Sequence, residues 1–181
     1  MDNVGRRKTC AATIRNTMEE SDTVYQALQR IATVAKQGLV ALYESDETLA
    51  EFINFHPRGF GLGQFDVFRE VEIKHVRAPI ARGFRIDGDY SPDRARANWH
   101  AFLDQIQHPR YLPLLKRTGG AHKADLYHVW EAEHNELDAF VTLDTTFIKA
   151  VSIPKPIETT VKICTPAQFV SWVSQAIGGL A

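Results

Sequence analysis

Asp125 and Asp144 are the residues of this chain whose type and setting point most directly to chemistry. Both lie in HKADLYHVWEAEHNELDAFVTLD, residues 122–144, one in the first turn of a predicted helix and the other just past a predicted strand, Phe140–Leu143. In an α/β crevice, ligands collect at the carboxyl ends of parallel strands. Two carboxylates carried there by different elements suit a divalent cation. Glu51 adds a third, because it falls off the Leu49/Phe52/Ile53 stripe of its predicted helix and need not be buried. Hard cations such as Mg2+ and Mn2+ choose carboxylate and water oxygens. Two such ions ~3.5–4 Å apart can stabilise both the attacking and the leaving oxygen of a phosphodiester displacement. Thr142 stands two residues before Asp144, on the same side of the strand. His122 and His128 flank Asp125, and a histidine there can touch a substrate phosphate or relay a proton. Each residue alone also has a plain structural role: Asp125 as a helix-dipole partner, Glu51 as a solvated side chain, Asp144 as an N-cap, His128 as a partly buried histidine. Their order and setting carry the weight.

The elements that must position these groups follow from periodicity and caps. Val24, Leu28, Ile31 and Ala35 predict a helix over 23–37, with Asp22 as N-cap and Gly38 as stop. The apolar run Leu39–Tyr43 predicts a strand covered on both faces, and Ser45 or Asp46 can cap a helix running to about Phe55, before Pro57. From Pro57 to Tyr90 the periodicity breaks down into glycines, phenylalanines and arginines, with an edge strand or hairpin expected around 67–77. This segment suits an RNA platform, since arginine contacts phosphates and phenylalanine stacks on bases, or equally a small satellite core. Ser91-Pro92 opens a helix carrying Ala95, Trp99, Phe102, Leu103 and Ile106, and a short turn at Leu112–Lys116 leads to Gly119-Gly120. After Asp144 come a short helix (145–152), a strand (Thr160–Cys164), and a helix capped by Thr165-Pro166 with Phe169, Val170, Val173 and Ile177 on its core face.

The bulk numbers narrow the class. With 181 residues, 44% hydrophobic, 24% charged and a net charge of -1, the chain reads as one globular domain. Two cysteines, Cys10 and Cys164, make no disulfide framework. No apolar run reaches the ~18 residues of a membrane span, and a cytoplasmic protein is expected. Arg6, Arg7, Lys8 and Arg15 give the first residues a loose likeness to an organelle transit peptide, which Asp2 and the missing apolar face argue against. Gly59-x-Gly61-x-Gly63 follows a helix and so does not fit a dinucleotide-binding loop.

Three segments resemble the PIN-domain family of metal-dependent nucleases. Leu39–Phe52 (LVALYESDETLAEF) is similar to the family's second strand and acidic helix, Ala124–Glu131 (ADLYHVWE) to its Asp-led helix, and Asp138–Asp144 (DAFVTLD) to its late strand ending in Thr-x-Asp. The closing ICTPAQFVSWV resembles the last strand and terminal helix. The resemblance implies a single domain over 1–181, a three-layer α/β/α sandwich with a mainly parallel sheet, and an atypical insertion at about 57–120. It implies a Mg2+- or Mn2+-dependent ribonuclease in which Asp125 and Asp144 hold metal. Glu51 would hold metal or orient the attacking water, and Thr142 would hydrogen-bond to the cluster from outside it. Many small relatives are toxins restrained by an antitoxin, which implies a protein partner or a homodimer beside the RNA substrate.

One departure stands out. The family's first strand ends in a metal-binding aspartate, whereas the predicted first strand here, Thr9–Ile14, contains no acid, and Lys8 stands where the aspartate is expected. Asp2, in Asp2-Asn3-Val4, is the other candidate ligand. The alternative expectation is therefore a catalytically degenerate PIN-like domain serving as an RNA- or protein-binding scaffold. A third is an unrelated doubly wound domain that binds a phosphorylated small molecule.

Overall fold

The computed structural model describes residues 18–48, 66–80, 92–153 and 156–176. Asp2, Lys8, Cys10, the predicted strand 9–14, Glu51, Ile177 and much of the arginine- and phenylalanine-rich stretch, at 57–65 and 81–90, lie outside these residues. In chain order the elements are α1 (Met18–Lys36), β1 (Leu42–Ser45), a 3-10 turn (Asp66–Phe68), β2 (Ile73–Val76), α2 (Pro92–Gln105), α3 (Tyr111–Arg117), α4 (Lys123–His134), β3 (Ala139–Val141), α5 (Thr145–Ser152), β4 (Lys162–Cys164) and α6 (Pro166–Ala176). The fold is mixed α/β, and its strands pair in parallel, Leu42 opposite Ile73 and Phe140 opposite Ile163. Among the described residues they form two two-stranded sheets.

Local chemistry explains where elements start and stop. α1 ends in a Schellman cap: Gly38, at φ 72°, donates its N–H to Ala35 O at 2.9 Å, and Leu39 N donates to Val34 O at 3.0 Å. Leu39 is thereby locked into the helix cap, so the strand expected over 39–43 begins three residues later, and both Leu39 and Tyr43 are exposed. Ser45 then caps the next helical turn, its Oγ accepting from Thr48 N at 3.2 Å. The segment expected as an edge strand or hairpin supplies β2, which joins β1 in parallel; a parallel partner needs a crossover that no local pattern announces. The turn expected at 112–116 is the helix α3. α6 opens with a reciprocal capping box, in which Gln168 N donates to Thr165 Oγ1 at 3.2 Å and Thr165 N donates to Gln168 Oε1 at 2.9 Å.

α4 is the centre of the core. Seven consecutive residues, Leu126 to Ala132, are buried, so this helix packs on every side. Around it lie Trp99 and Leu103 from α2, Tyr111 and Leu114 from α3, Phe140 from β3, and Phe147 and Val151 from α5. The segment 57–120 thus contributes side chains to the main core. A second cluster joins α1, β1, the 3-10 turn, β3, β4 and α6 through Ile31, Leu42, Phe68, Ala139, Cys164 and Phe169. Among the described residues no helix is long and apolar enough to cross a membrane.

A charged clamp ties the C-terminal half of α4 to its neighbours. Arg110, just before α3, donates from Nε to Glu133 Oε2 at 2.7 Å and from Nη2 to Glu133 Oε1 and the Glu158 carbonyl. Thr160 N also donates to Glu133 Oε1, at 3.3 Å. Burial pushes the Glu133 carboxyl up, but the hydrogen bonds from Arg110, Thr159 and Thr160, together with the Arg110 charge, hold it below its usual range. A carboxylate depressed in the folded state adds stability above its unfolded pKa and loses that contribution as pH falls through the folded value. Glu133→Gln should therefore cost about 1–3 kcal/mol at pH 7. In urea unfolding followed across pH 7 to 3, the gap to the wild type should shrink below the ordinary value of 4.5. A gap that stays constant across that range would contradict the clamp.

Candidate metal centre

The turn leading into α4 presents its first side chains. α3 closes with another Schellman cap, Gly119 at φ 64° donating to Lys116 O at 3.2 Å and Gly120 donating to Leu115 O at 3.0 Å. Thr118 Oγ1 then holds the Ala121 carbonyl at 2.7 Å, and Tyr111 Oη donates to the Lys123 carbonyl at 3.1 Å. His122 follows at φ 56°, in the left-handed region, at the N-cap position of α4. A non-glycine residue holds that conformation at a cost of about 1–3 kcal/mol. Its ring makes no capping hydrogen bond. It faces two carboxylates instead: Nδ1 lies 3.7 Å from Asp125 Oδ2 and 3.8 Å from Asp144 Oδ2. Phe147 sits against the ring, its centroid 5.5 Å away.

Asp144 divides its two oxygens between structure and site. Oδ1 caps α5, accepting from Thr146 N at 2.8 Å, from Phe147 N at 2.9 Å and from the Thr146 hydroxyl. Oδ2, which the cap does not use, faces His122. Thr142 acts on the backbone of Asp144: its Oγ1 accepts from Asp144 N at 3.1 Å, while Thr142 N donates to Cys164 O at 3.0 Å and so extends the β3–β4 pairing. Burial pushes the Asp144 carboxyl up, but the hydrogen bonds from Thr146 and Phe147, with His122 beside them, hold it below its usual range. Asp125, in the first turn of α4, and Asp144, at the start of α5, both sit where a helix dipole favours an anion.

The structure thus brings Asp125 and Asp144 together and adds His122 between them. One ligand atom from each of the three lies within 4.8 Å of the others. A single ion with bonds of about 2.0–2.2 Å can bridge donors up to about 4 Å apart, and the two histidine–carboxylate separations meet that limit. The side chains are 22, 30 and 39% exposed, so an ion and its waters can reach them. Imidazole nitrogen with two carboxylates is a recognised donor set for divalent metals, and the residues fit such a group.

The other predicted site residues fall elsewhere. Glu51 and Asp2 lie outside the described residues. His128, expected to reach substrate, is buried: Nδ1 lies 2.9 Å from Glu131 Oε2, and Trp99, Tyr127 and Phe140 surround the ring. Its distance in sequence from Asp125 suggests a shared face, but α4 is buried all round from Leu126 to Ala132, so that face is core. His122, expected as a phosphate contact or proton relay, lies between the two carboxylates, and the Gly-Gly turn before it is the mark of that position in the sequence. At the far end of α4, an open depression is lined by His108, Arg110, Trp130 and Glu133, but its Arg110 and Glu133 are paired with each other. No protein-family model matches the chain, and no curated protein or solved structure matches it.

The divided carboxylate has a testable consequence. Asparagine caps a helix about as well as aspartate, whereas alanine loses about 1 kcal/mol. In metal-free urea unfolding, Asp144→Ala should lose about that much and Asp144→Asn only a few tenths. Equal losses in the two variants would show that the cap contributes nothing.

Proposed function

We propose that this chain is a divalent-metal-dependent ribonuclease of PIN-like architecture, with His122, Asp125 and Asp144 holding the ion. The convergence of Asp125 and Asp144, two residues that the resemblance pairs as metal ligands, is the observation that carries this reading. The three-layer sandwich is the larger frame it expects around the two parallel strand pairs. Its cofactor is Mg2+ or Mn2+, its substrate RNA, and its setting the cytoplasm. A restraining protein partner or a second copy belongs to the same reading.

When bound, the ion would supply positive charge that lowers the pKa of a water and offsets charge building on the phosphate. The chain's own residues do the rest. The α5 cap aims Asp144 by fixing one oxygen and leaving the other toward the site. Thr142 holds the backbone from which Asp144 projects. Leu143, 56% exposed between them, leaves an apolar side chain at the rim of the site. A site built in advance in this way needs little reorganisation during reaction.

One observation favours the rival, a catalytically degenerate scaffold. His122 Nδ1 lies 3.7 and 3.8 Å from the two carboxylates and can partner them without any ion. Incubation of the purified chain with single-stranded RNA in Mg2+ or Mn2+ separates the two. Metal-dependent cleavage is expected, stopped by chelator and reduced more than about 100-fold by Asp144→Asn. Wild-type cleavage no greater than that of Asp144→Asn, in either metal, would leave the scaffold.

A further inference from the structure

We infer, building on the metal-site reading above, that His122 makes this centre select a first-row transition ion (Mn2+, Fe2+, Co2+ or Zn2+) over Mg2+. The donor set is one imidazole nitrogen with two carboxylate oxygens, and Nδ1 is the atom nearest both carboxylates. Mg2+ demands near-ideal octahedral geometry, keeps several waters and binds through carboxylates. Imidazole suits the transition ions, whose affinity for nitrogen sites rises from Mn2+ through Co2+. Among the described residues the donors number three, a count shared by catalytic sites that keep further positions for water or substrate.

His122 is therefore the residue that sets metal identity, while Asp125 and Asp144 set charge. Asparagine at position 122 tolerates the left-handed backbone and offers only an oxygen donor. His122→Asn should convert a nitrogen-selective site into an all-oxygen one without disturbing the turn.

The test is metal binding by the full chain, with Co2+ followed by its visible absorption and Mg2+ by calorimetry. The wild type should bind one Co2+ at least about ten-fold more tightly than Mg2+. His122→Asn should weaken Co2+ about ten-fold or more, shift its absorption bands, and lower the Co2+/Mg2+ affinity ratio about ten-fold. Thermal unfolding of each variant reports whether it folds, and His122→Gly, which relieves the left-handed backbone, serves if the asparagine variant does not. Equal affinity for the two ions, or Co2+ binding and absorption unaltered at either variant, would overturn the inference while leaving a carboxylate metal site standing. Failure of the wild type to bind either ion would overturn both. Co2+ selectivity without RNA cleavage would uphold the inference and remove only the ribonuclease reading.

Discussion

Everything at the candidate site depends on the complete burial of one helix. From Leu126 to Ala132 α4 has no solvent face, and four neighbouring elements pack their largest side chains against it. Leu126, Tyr127, Val129, Leu103, Tyr111 and Phe147 are all fully buried. Truncating one such side chain in a close-packed core costs about 2–5 kcal/mol. A helix held this way cannot rotate or slide without disrupting the whole cluster, so its first turn is fixed in space. Asp125 inherits that rigidity directly. Asp144 inherits it through Phe147, which is buried in the same cluster three residues further along.

The two helix starts then create an electrostatic problem that His122 answers. α4 and α5 bring carboxylates to neighbouring N-termini, where each helix dipole favours negative charge but the two charges oppose one another. A left-handed residue at the α4 N-cap turns an imidazole between them rather than into the cap. The strain of that backbone is offset by the rigid Gly119-Gly120 turn and by the packing behind it. Strain of this kind collects where a structure must hold a group for function. The same imidazole can partner the two carboxylates directly or join them around a metal.

Much of this was legible in the sequence wherever a local rule applied. Asp144 before α5 and Thr165-Pro166 before α6 carry cap signatures, and both helices begin as those signatures predict. Asp125 and Asp144 were found because residue type and element ends are local properties. Leu39 was misplaced because its apolar character suits a strand and a Schellman cap equally, and only the Gly38 backbone chooses between them. The alternation around 67–77 leaves an edge strand and a hairpin equally open, and β2 is the strand; its parallel partner depends on contacts far away in sequence. For His128 the sequence leaves a substrate contact and a buried structural histidine both open, because a helix buried on all sides has no polar stripe to reveal which histidine is core; the structure shows the buried one. For His122 the sequence suggests a phosphate contact or a proton relay, and its direction toward the two carboxylates follows from a positive φ that sequence alone does not disclose.

The central claim is that His122, Asp125 and Asp144 form one metal centre. Anomalous scattering from a crystal soaked in Mn2+ tests it most directly, because it locates the ion without relying on any activity. A single strong peak is expected within coordination distance, about 2.0–2.3 Å, of His122 Nδ1 and the Oδ2 atoms of Asp125 and Asp144. An ordered, solvent-accessible triad with no peak, or a peak elsewhere on the molecule, would contradict it.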